Sequence, residues 1–386
     1  MSKKIGILTY FWGHNPGTFL QAYSMLKALQ KRCPDYRVEL INYIFRKPTF
    51  RLRKGFISPE RLINDYRRFK AFTTLQAKCL PRSSDELNTV DYEMAADYIR
   101  KQDYEMIMVG ADTVLEFLPR QRASGQVPIY WLPPDIKCKK VMLASVGAMR
   151  LDMVDKKYHA ILSESVNAFD LVGVRDDNTY DFMKSLGLKD ESKLELVPDP
   201  TISYEIDYGH IDRLLKKRRV KFDKPIVSVH LPVTVPLCYE LVDHYQSRGY
   251  RAVISGLTAR RRDCRFPTMS PFEWAGVHKY FALKITDRFH GTLFSLRNLA
   301  PVVSVDWEDR TITPGGVSKT YSLLRLFGLH ETNHLNAAKA SDLAETIRVA
   351  DAAAENHDPQ RIAQRMSELT SDFHAYMDKV AALLKG

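Results

Sequence analysis

The sequence predicts an α/β protein of two domains, each built on a doubly wound, parallel sheet. Three observations carry this reading. Short apolar runs of strand length alternate with stretches of helical periodicity, the order that gives parallel pairing. The alternation starts twice, near residue 5 and again near residue 226, with a polar and basic interval between. A length of 386 residues suits about two domains. The expected division is an N-terminal domain over 1–205, a linker over 206–224, a C-terminal domain over 225–353 and a C-terminal helical segment over 354–386.

Composition narrows the function classes. With 45% apolar and 27% charged residues the chain reads as an ordinary soluble globular protein. No apolar run approaches the roughly 18–20 residues that span a bilayer. Met1-Ser2-Lys3-Lys4 leads directly into a strand, without the apolar core of a signal peptide, so a cytoplasmic location is expected. Cys33, Cys79, Cys138, Cys238 and Cys264 are scattered and include no Cys-x-x-Cys, which argues for reduced thiols and against a disulfide or zinc framework. No metal constellation is visible, so metal independence is expected. The formal net charge of +11 favours anionic partners, either small substrates or the head groups of an anionic membrane met peripherally at its inner face. Basic clusters at 46–53, 67–68, 216–219 and 260–265 lack zinc-finger spacing and lack aromatics alternating around glycines, which argues against nucleic acid.

Residues 5–10 read as a buried first strand. The loop Phe11-Trp12-Gly13-His14-Asn15-Pro16 follows, then a helix from Gly17-Thr18 in which Phe19, Ala22, Tyr23, Leu26 and Leu29 keep helical spacing. A strand over 38–43 completes a β-α-β unit. The glycines do not match G-x-G-x-x-G and no acid ends the second strand, which argues against a dinucleotide. Residues 45–105 are basic and helical in pattern, punctuated by Pro48, Pro59 and Pro81. A strand over 105–109 then runs into Gly110-Ala111-Asp112. Ligands gather at the carboxyl edge of such sheets, so Asp112 is a candidate site residue, with helix capping as its plainer role. His14 is a further loop candidate. Strands over 141–145 and 171–174 follow, the second ending at Arg175, which either clamps an anion or pairs with Asp176 or Asp177. Residues 196–201 are extended and proline-fixed, with Asp199 read as structural.

In the second half, strands over 226–231 and 251–255 flank a helix over 237–247. Ser270-Pro271-Phe272-Glu273 is a capping box with proline at the first helical position. The central stretch is Ile285-Thr286-Asp287-Arg288-Phe289-His290-Gly291-Thr292. It reads as a strand ending near Thr286, a loop carrying Asp287, Arg288 and His290, and a helix opening at Gly291-Thr292. Arg288 and His290 are two apart and leave one face of extended backbone. Gly291 lets the backbone approach a ligand, and the helix aims free N–H groups at it. Together they suit a small, multiply charged anion. A strand over 302–305, a loop over 306–316, Lys319 and a helix over 321–327 follow. His330 and His334 have metal-like spacing but read as a solvent-exposed pair. A closing helix over 361–384 is expected to pack back across a domain surface.

The central stretch resembles the signature of the polysaccharide pyruvyl transferase family, an acidic–Arg–aromatic–His-Gly segment that opens a helix before a hydrophobic strand. The resemblance runs from Ile5 to about Leu329. Asn15-Pro16-Gly17 resembles the family's Asn-x-Gly, with Thr18 departing from the pattern. Gly110-Ala111-Asp112 resembles its Gly-Ser-Asp, with Ala111 for serine and Leu115 for the common tryptophan. Ser145-Val146-Gly147-Ala148, Arg175 before an acid, and Lys319 before a helix also match.

The resemblance implies two Rossmann-like domains facing across a cleft, the GT-B arrangement. It also implies an enzyme that moves the enolpyruvyl carbons of phosphoenolpyruvate onto two hydroxyls of a sugar, as in exopolysaccharide and cell-envelope synthesis. Phosphoenolpyruvate is then the donor substrate, phosphate is released, and no cofactor is expected. Arg288, His290, Arg175 and Lys319 would cradle phosphate and carboxylate, with His14, Asn15, Gly291 and Thr292 as further binding positions. His290 would be the acid or a phosphate ligand, and Asp112 the base or the acceptor of a sugar hydroxyl. The acceptor stays open among a lipid-linked sugar, a nucleotide sugar and a smaller polyol. The alternative enzyme is a GT-B glycosyltransferase or epimerase using a nucleotide sugar, disfavoured by the lack of a ribose-binding Glu at a strand end. A non-catalytic anion-binding module would explain the charge but not Arg288-x-His290.

Overall fold

The computed structural model describes residues 3–45, 59–117, 126–147, 149–255, 259–306, 318–336 and 342–385. The chain forms two compact units, one of Met1–Thr49, Thr73–Tyr204 and Leu369–Gly386, the other of Phe50–Phe72 and Glu205–Glu368.

The first unit contains β1 (Lys4–Leu8), α1 (Pro16–Arg32), β2 (Arg37–Leu40), β3 (Tyr43–Ile44), the end of α2 (Pro59–Cys79), β4 (Leu87–Asn88), α3 (Tyr92–Arg100), β5 (Met106–Gly110), β6 (Lys139–Ala144), α4 (His159–Asn167), β7 (Leu171–Val174), α5 (Asp177–Ser185) and β8 (Leu194–Leu196). Its main sheet is parallel throughout, in the order β2-β1-β5-β6-β7-β8, and β3 pairs separately with β4. All five residues of β5 are buried, as expected for a strand covered on both faces. Gly110 lets α1 lie directly on this strand: a Cβ there would stand 2.5 Å from Met25 Sδ. The strand order reverses between β1 and β5, which makes their carboxyl ends the topological switch point.

The second unit contains α6 (Tyr208–Lys217), β9 (Ile226–His230), α7 (Pro236–Ser247), β10 (Arg251–Ile254), α8 (Pro271–Val277), β11 (Phe281–Thr286), α9 (Phe289–Arg297), β12 (Val302–Val305), α10 (Lys319–Leu326), β13 (His334–Leu335), α11 (Leu343–Glu355) and the start of α12 (Pro359–Ala382). Its five parallel strands run β10-β9-β11-β12-β13, with the switch between β9 and β11. Side chains alternate across a strand, so the two faces can differ. Val227, Val229, Ala252, Ile254, Leu283, Ile285, Val303 and Val305 form a dry core with α7 and α11. The other parity carries Ser228, His230, Lys284, Thr286 and Ser304, all buried as well.

Several sequence expectations shift here. The interval 206–224, read as a linker, carries α6, whose Ile211 and Leu215 are buried. Ile211 occupies the space beside Gly276, where a Cβ would meet its Cδ1 at 2.0 Å. Two apolar anchors one helical turn apart are enough to dock a short helix, and the basic residues around them masked the pattern. The helix expected at Gly291 begins earlier, at Phe289. The capping box forms, with Glu273 N donating to Ser270 Oγ at 3.3 Å and Ser270 N to Glu273 Oε2 at 2.8 Å. His334 is not exposed: its side chain is 9% accessible and its Nε2 lies 2.7 Å from Asp306 Oδ2. Among the described residues no group of His, Cys, Asp and Glu suits a metal, and no helix is long and apolar enough to cross a membrane. The basic cluster at 46–53 and nearly all of the loop at 306–316 lie outside the described residues.

The closing helix returns to the first unit. Phe373, Tyr376 and Met377 of α12 are fully buried, each contributing about 1.5–3 kcal/mol of apolar burial. Tyr376 Oη accepts from Gly173 N at 3.0 Å and donates to Met142 O, so the helix is bonded to the backbone of β7 and β6. A Cβ at Gly173 would stand 2.7 Å from the Tyr376 ring. Gly173→Ala is therefore expected to destabilise the chain by about 1–3 kcal/mol in urea unfolding, and Tyr376→Phe by about 1–2 kcal/mol. An unchanged midpoint in Gly173→Ala would show that α12 is not seated on β7.

Candidate functional site

The carboxyl end of the second sheet gathers most of the charged candidates. Asp287 follows β11 directly, and its amide donates to His230 O at the end of β9, 3.4 Å away. Arg288 is the N-cap of α9 in extended conformation, with no side-chain capping bond. Its side chain is 54% exposed, and its Nε lies 3.0 Å from Asp287 Oδ1. Phe289 turns inward and is buried, while His290 on the first turn is half-buried with its ring edge-on to Phe289. No acidic residue occupies the first turn of α9. The dipole and first-turn amides therefore favour an anion, to which Arg288 adds a planar fork of donors.

Lys319 opens α10 behind the N-cap Ser318, whose Oγ accepts from Tyr321 N at 3.1 Å. Lys319 is half-buried, and its charge acts on Asp287. Burial raises the Asp287 carboxyl, and the charges of Arg288, Lys284 and Lys319 offset part of that rise. Asp306, at the end of β12, is buried between Thr320 Oγ1 at 2.8 Å and His334, and so ties α10 to the sheet.

Two candidates on α9 have internal partners. Thr292 is fully buried, and its Oγ1 lies 2.6 Å from Ser304 Oγ and 3.2 Å from Arg288 O. Gly291 is small because Thr286 is there: a Cβ would stand 2.7 Å from Thr286 Oγ1. That hydroxyl accepts from Arg288 N at 3.1 Å. The glycine thus seats the helix against the strand that positions Arg288, which is a closer reason for it than approach to a ligand.

Below this rim lies a layer that sequence reasoning passed over. Lys284 is fully buried, and its Nζ donates to Ser228 Oγ at 3.0 Å and Ser255 Oγ at 2.5 Å. Burial pushes its ammonium down to about 7, with Asp287 acting in the opposite direction. His230 is buried beside it, and burial first, then the charges of Lys284 and Arg288, hold its imidazole neutral. The available signal was polar residues at alternate positions of strands otherwise apolar, Ser228 and His230 in one, Lys284 and Thr286 in the next.

The first unit presents a different surface at its own switch point. Asp112 follows β5, accepting from Thr18 Oγ1 at 2.9 Å through Oδ2 and from Thr113 N at 2.9 Å through Oδ1. Thr18, which departs from the family pattern, thus orients the carboxylate. Asn15 caps α1, accepting from Gly17 N at 3.0 Å, and His14 beside it is half-buried. Past the end of β1, Tyr10, Trp12 and Phe45 are half-buried and mutually edge-on, with centroids 5.1–5.4 Å apart. Burial, then the charges of Asp112 and Glu116, raise the Tyr10 phenol well above its usual value, placing carboxylates close to this aromatic wall.

Arg175 stands apart from the other cations. Its Nη1 lies 2.9 Å from Asp199 Oδ2, and both side chains are 2% exposed. Asp199 also accepts from Thr201 N at 2.9 Å and caps the turn Pro200–Ser203. The partner expected from sequence, Asp176 or Asp177, is replaced by this more distant acid, while Asp176 bonds Ser145 and caps α5.

Comparison with known proteins fits this geometry. The family model described as polysaccharide pyruvyl transferase matches residues 15–309, about three quarters of the chain. No curated protein matches. Among solved structures, UDP-GlcNAc 2-epimerase from Methanocaldococcus jannaschii superposes with a TM-score of 0.55 at 10% identity, covering 99% of each chain. The Neisseria meningitidis UDP-GlcNAc 2-epimerase bound to UDP-GlcNAc gives 0.54 at 9% identity over 100% of both chains. A Medicago truncatula protein complexed with UDP-glucose gives 0.54 at 10% identity, over 100% of this chain and 99% of that one. At these identities the likeness is one of fold: this chain shares the GT-B fold of UDP-sugar epimerases and glycosyltransferases.

The packing role of Gly291 is testable. Gly291→Ala should lower stability by about 1–3 kcal/mol, and adding Thr286→Ala should recover part of that loss in thermal unfolding. Strictly additive losses would refute the packing explanation.

Proposed function

The chain belongs to the polysaccharide pyruvyl transferase family, and from that premise we propose that it is a ketal pyruvyl transferase using phosphoenolpyruvate and a sugar. The observation that carries the reading is the end of β11, where exposed Arg288, half-buried His290, Lys319 and an uncapped helix start share one carboxyl edge. Phosphoenolpyruvate carries a phosphate and a carboxylate, and this edge offers two cations and a helix dipole for them.

In the reaction, a proton adds to C3 of the donor and C2 becomes oxocarbenium-like. Two C2–O bonds form to sugar hydroxyls and the C2–O bond to phosphate breaks. One hydroxyl proton balances the new methyl group and the other leaves with phosphate. His290 is assigned the acid or the phosphate contact, and Arg288 with Lys319 the anion contacts. Asp112, oriented by Thr18 and Thr113, is assigned the base or the hydroxyl acceptor. Tyr10, Trp12 and Phe45 give the acceptor's ring an aromatic wall suited to the C–H face of a pyranose. Arg175 and Thr292 are assigned structural parts, and His14 and Asn15 border the acceptor side.

No cofactor or metal is required by this chemistry. The net charge of +11 accords with an anionic donor and with an acceptor carried on a lipid or a nucleotide, and with peripheral contact at the inner face of a membrane in the cytoplasm. A nucleotide-sugar reaction is the second reading, favoured by the UDP-sugar enzymes that share the fold.

Two variants test the assignment. With galactose- and mannose-type acceptors, phosphate release from phosphoenolpyruvate should depend on acceptor and fall by about 100-fold or more in His290→Ala. Trp12→Ala should raise the acceptor concentration at half-saturation about tenfold and leave donor binding unchanged. Absence of release with every acceptor, alongside stabilisation by a nucleotide sugar, would favour the second reading.

A further inference from the structure

We propose that Lys284 is a positioning residue for the anion that Arg288 receives, and that its side chain takes up a proton from solvent as the anion binds. The inference rests on reading this end of the second sheet as the donor site. Lys284 cannot touch a ligand, because it is fully buried. It acts from beneath, three residues before Asp287 on the same strand and directly opposite Ser228 in the β9–β11 register. Ser228 and Ser255 hold its nitrogen, and they also bond each other at 2.7 Å, so the amine sits in a fixed neutral cradle.

A lysine buried among apolar strands is costly when charged unless a counter-ion is present. Here no carboxylate lies within ion-pair distance of Lys284 among the described residues. From β9 it is faced by His230, and from the turn His278–Tyr280 by His278, which is fully buried. Just past β10, Ser255 contributes its hydroxyl, and α9 contributes Thr292 and Ser295 to the layer. From its own strand's end comes Asp287, the rim holds Arg288, His290 and Lys319, and the charge of Arg68 on α2 acts on His230.

Burial keeps both histidines neutral, with the Lys284 charge acting in the same direction, while the Asp287 carboxyl is raised by burial. Lys284, near 7, is poised to change charge around neutrality. An anion at the rim adds negative potential above the layer and draws a proton onto the amine. The protonated amine then holds the anion from below. The site is thus near neutral underneath when empty and cationic when filled, which avoids keeping an uncompensated buried charge in the empty protein.

The test is calorimetric titration of the full chain at about pH 8, in buffers of different ionisation enthalpy, with phosphoenolpyruvate and separately with sulfate. Neither anion titrates there. With its amine lowered by burial to about 7, Lys284 is mostly neutral at that pH before binding. The expected result is uptake of roughly half a proton or more per bound anion in wild type, retained in His290→Gln and lost in Lys284→Met. Affinity for sulfate, which does not titrate in this range, should fall several-fold in wild type from about pH 6.5 to 8.5, and in Lys284→Met it should be weaker and flatter over that range.

Lys284→Met should also melt a few degrees higher, since a buried amine is replaced by a well-fitting apolar chain. Should that variant not fold, Ser255→Ala serves: loss of one acceptor of the ammonium should move the pH midpoint of binding downward. Equal uptake in wild type and Lys284→Met overturns the proposal. So does a lower melting temperature with unchanged anion affinity, or an unmoved midpoint in Ser255→Ala. Lys284-dependent uptake with sulfate but no binding of phosphoenolpyruvate would refute the donor assignment and leave this inference standing. Failure of both anions to bind would overturn both.

Discussion

The parallel ladder between β9 and β11 is the interaction on which the geometry of the proposed donor site depends. These strands are parallel neighbours at the point where the strand order reverses, so their carboxyl ends form the topological switch point of the sheet. The Asp287 amide bonds the last carbonyl of β9, so the residue before Arg288 is fixed by the sheet itself. Arg288 N then bonds Thr286 Oγ1, and Gly291 closes on that same threonine. A chain of backbone and hydroxyl contacts thus fixes the backbone that carries exposed Arg288 and half-buried His290. Preorganisation of this kind lets a short motif act as a binding site.

The two faces of that sheet have different jobs. The face toward α7 and α11 is aliphatic and supplies burial energy. The opposite face gives up part of that stabilisation by burying Ser228, His230, Lys284, Thr286 and Ser304. Hydroxyl pairs such as Thr292 with Ser304, and the amine held by Ser228 and Ser255, satisfy much of this layer. A fold seeking stability alone would fill these positions with valine. Their polarity makes sense beneath the proposed site for charged substrates, where fixed dipoles act through a low-dielectric interior. The first unit carries aromatics and an oriented carboxylate at its own switch point.

Much of this was legible in the sequence, and the exceptions have physical causes. The strands of both sheets stand out because parallel strands buried on both faces read as continuous apolar runs. Arg288, His290 and Asp112 stand out because they sit where such runs end. What periodicity could not supply was long-range partnership. Asp199, 24 residues beyond Arg175, draws that arginine inside, a pairing no local window shows. His334 looked exposed beside Gly328, but the short β13 carries it to Asp306 across 28 residues of sequence. Helix α6 hid in a basic interval because two anchors suffice to dock it. Lys284 is hidden for the opposite reason: a single lysine in an apolar run reads as noise until the serines that hold it arrive from β9 and from the residue after β10.

In the proposed reaction the donor's enolpyruvyl carbons end in a ketal on the acceptor. The most direct measurement is carbon-13 NMR of the product formed from phosphoenolpyruvate labelled at C2. The label should appear as a saturated quaternary carbon bonded to two sugar oxygens and a methyl group, with one phosphate released per ketal. A label that remains in an alkenyl carbon on the sugar, or that never leaves phosphoenolpyruvate while a nucleotide sugar is consumed, would contradict it.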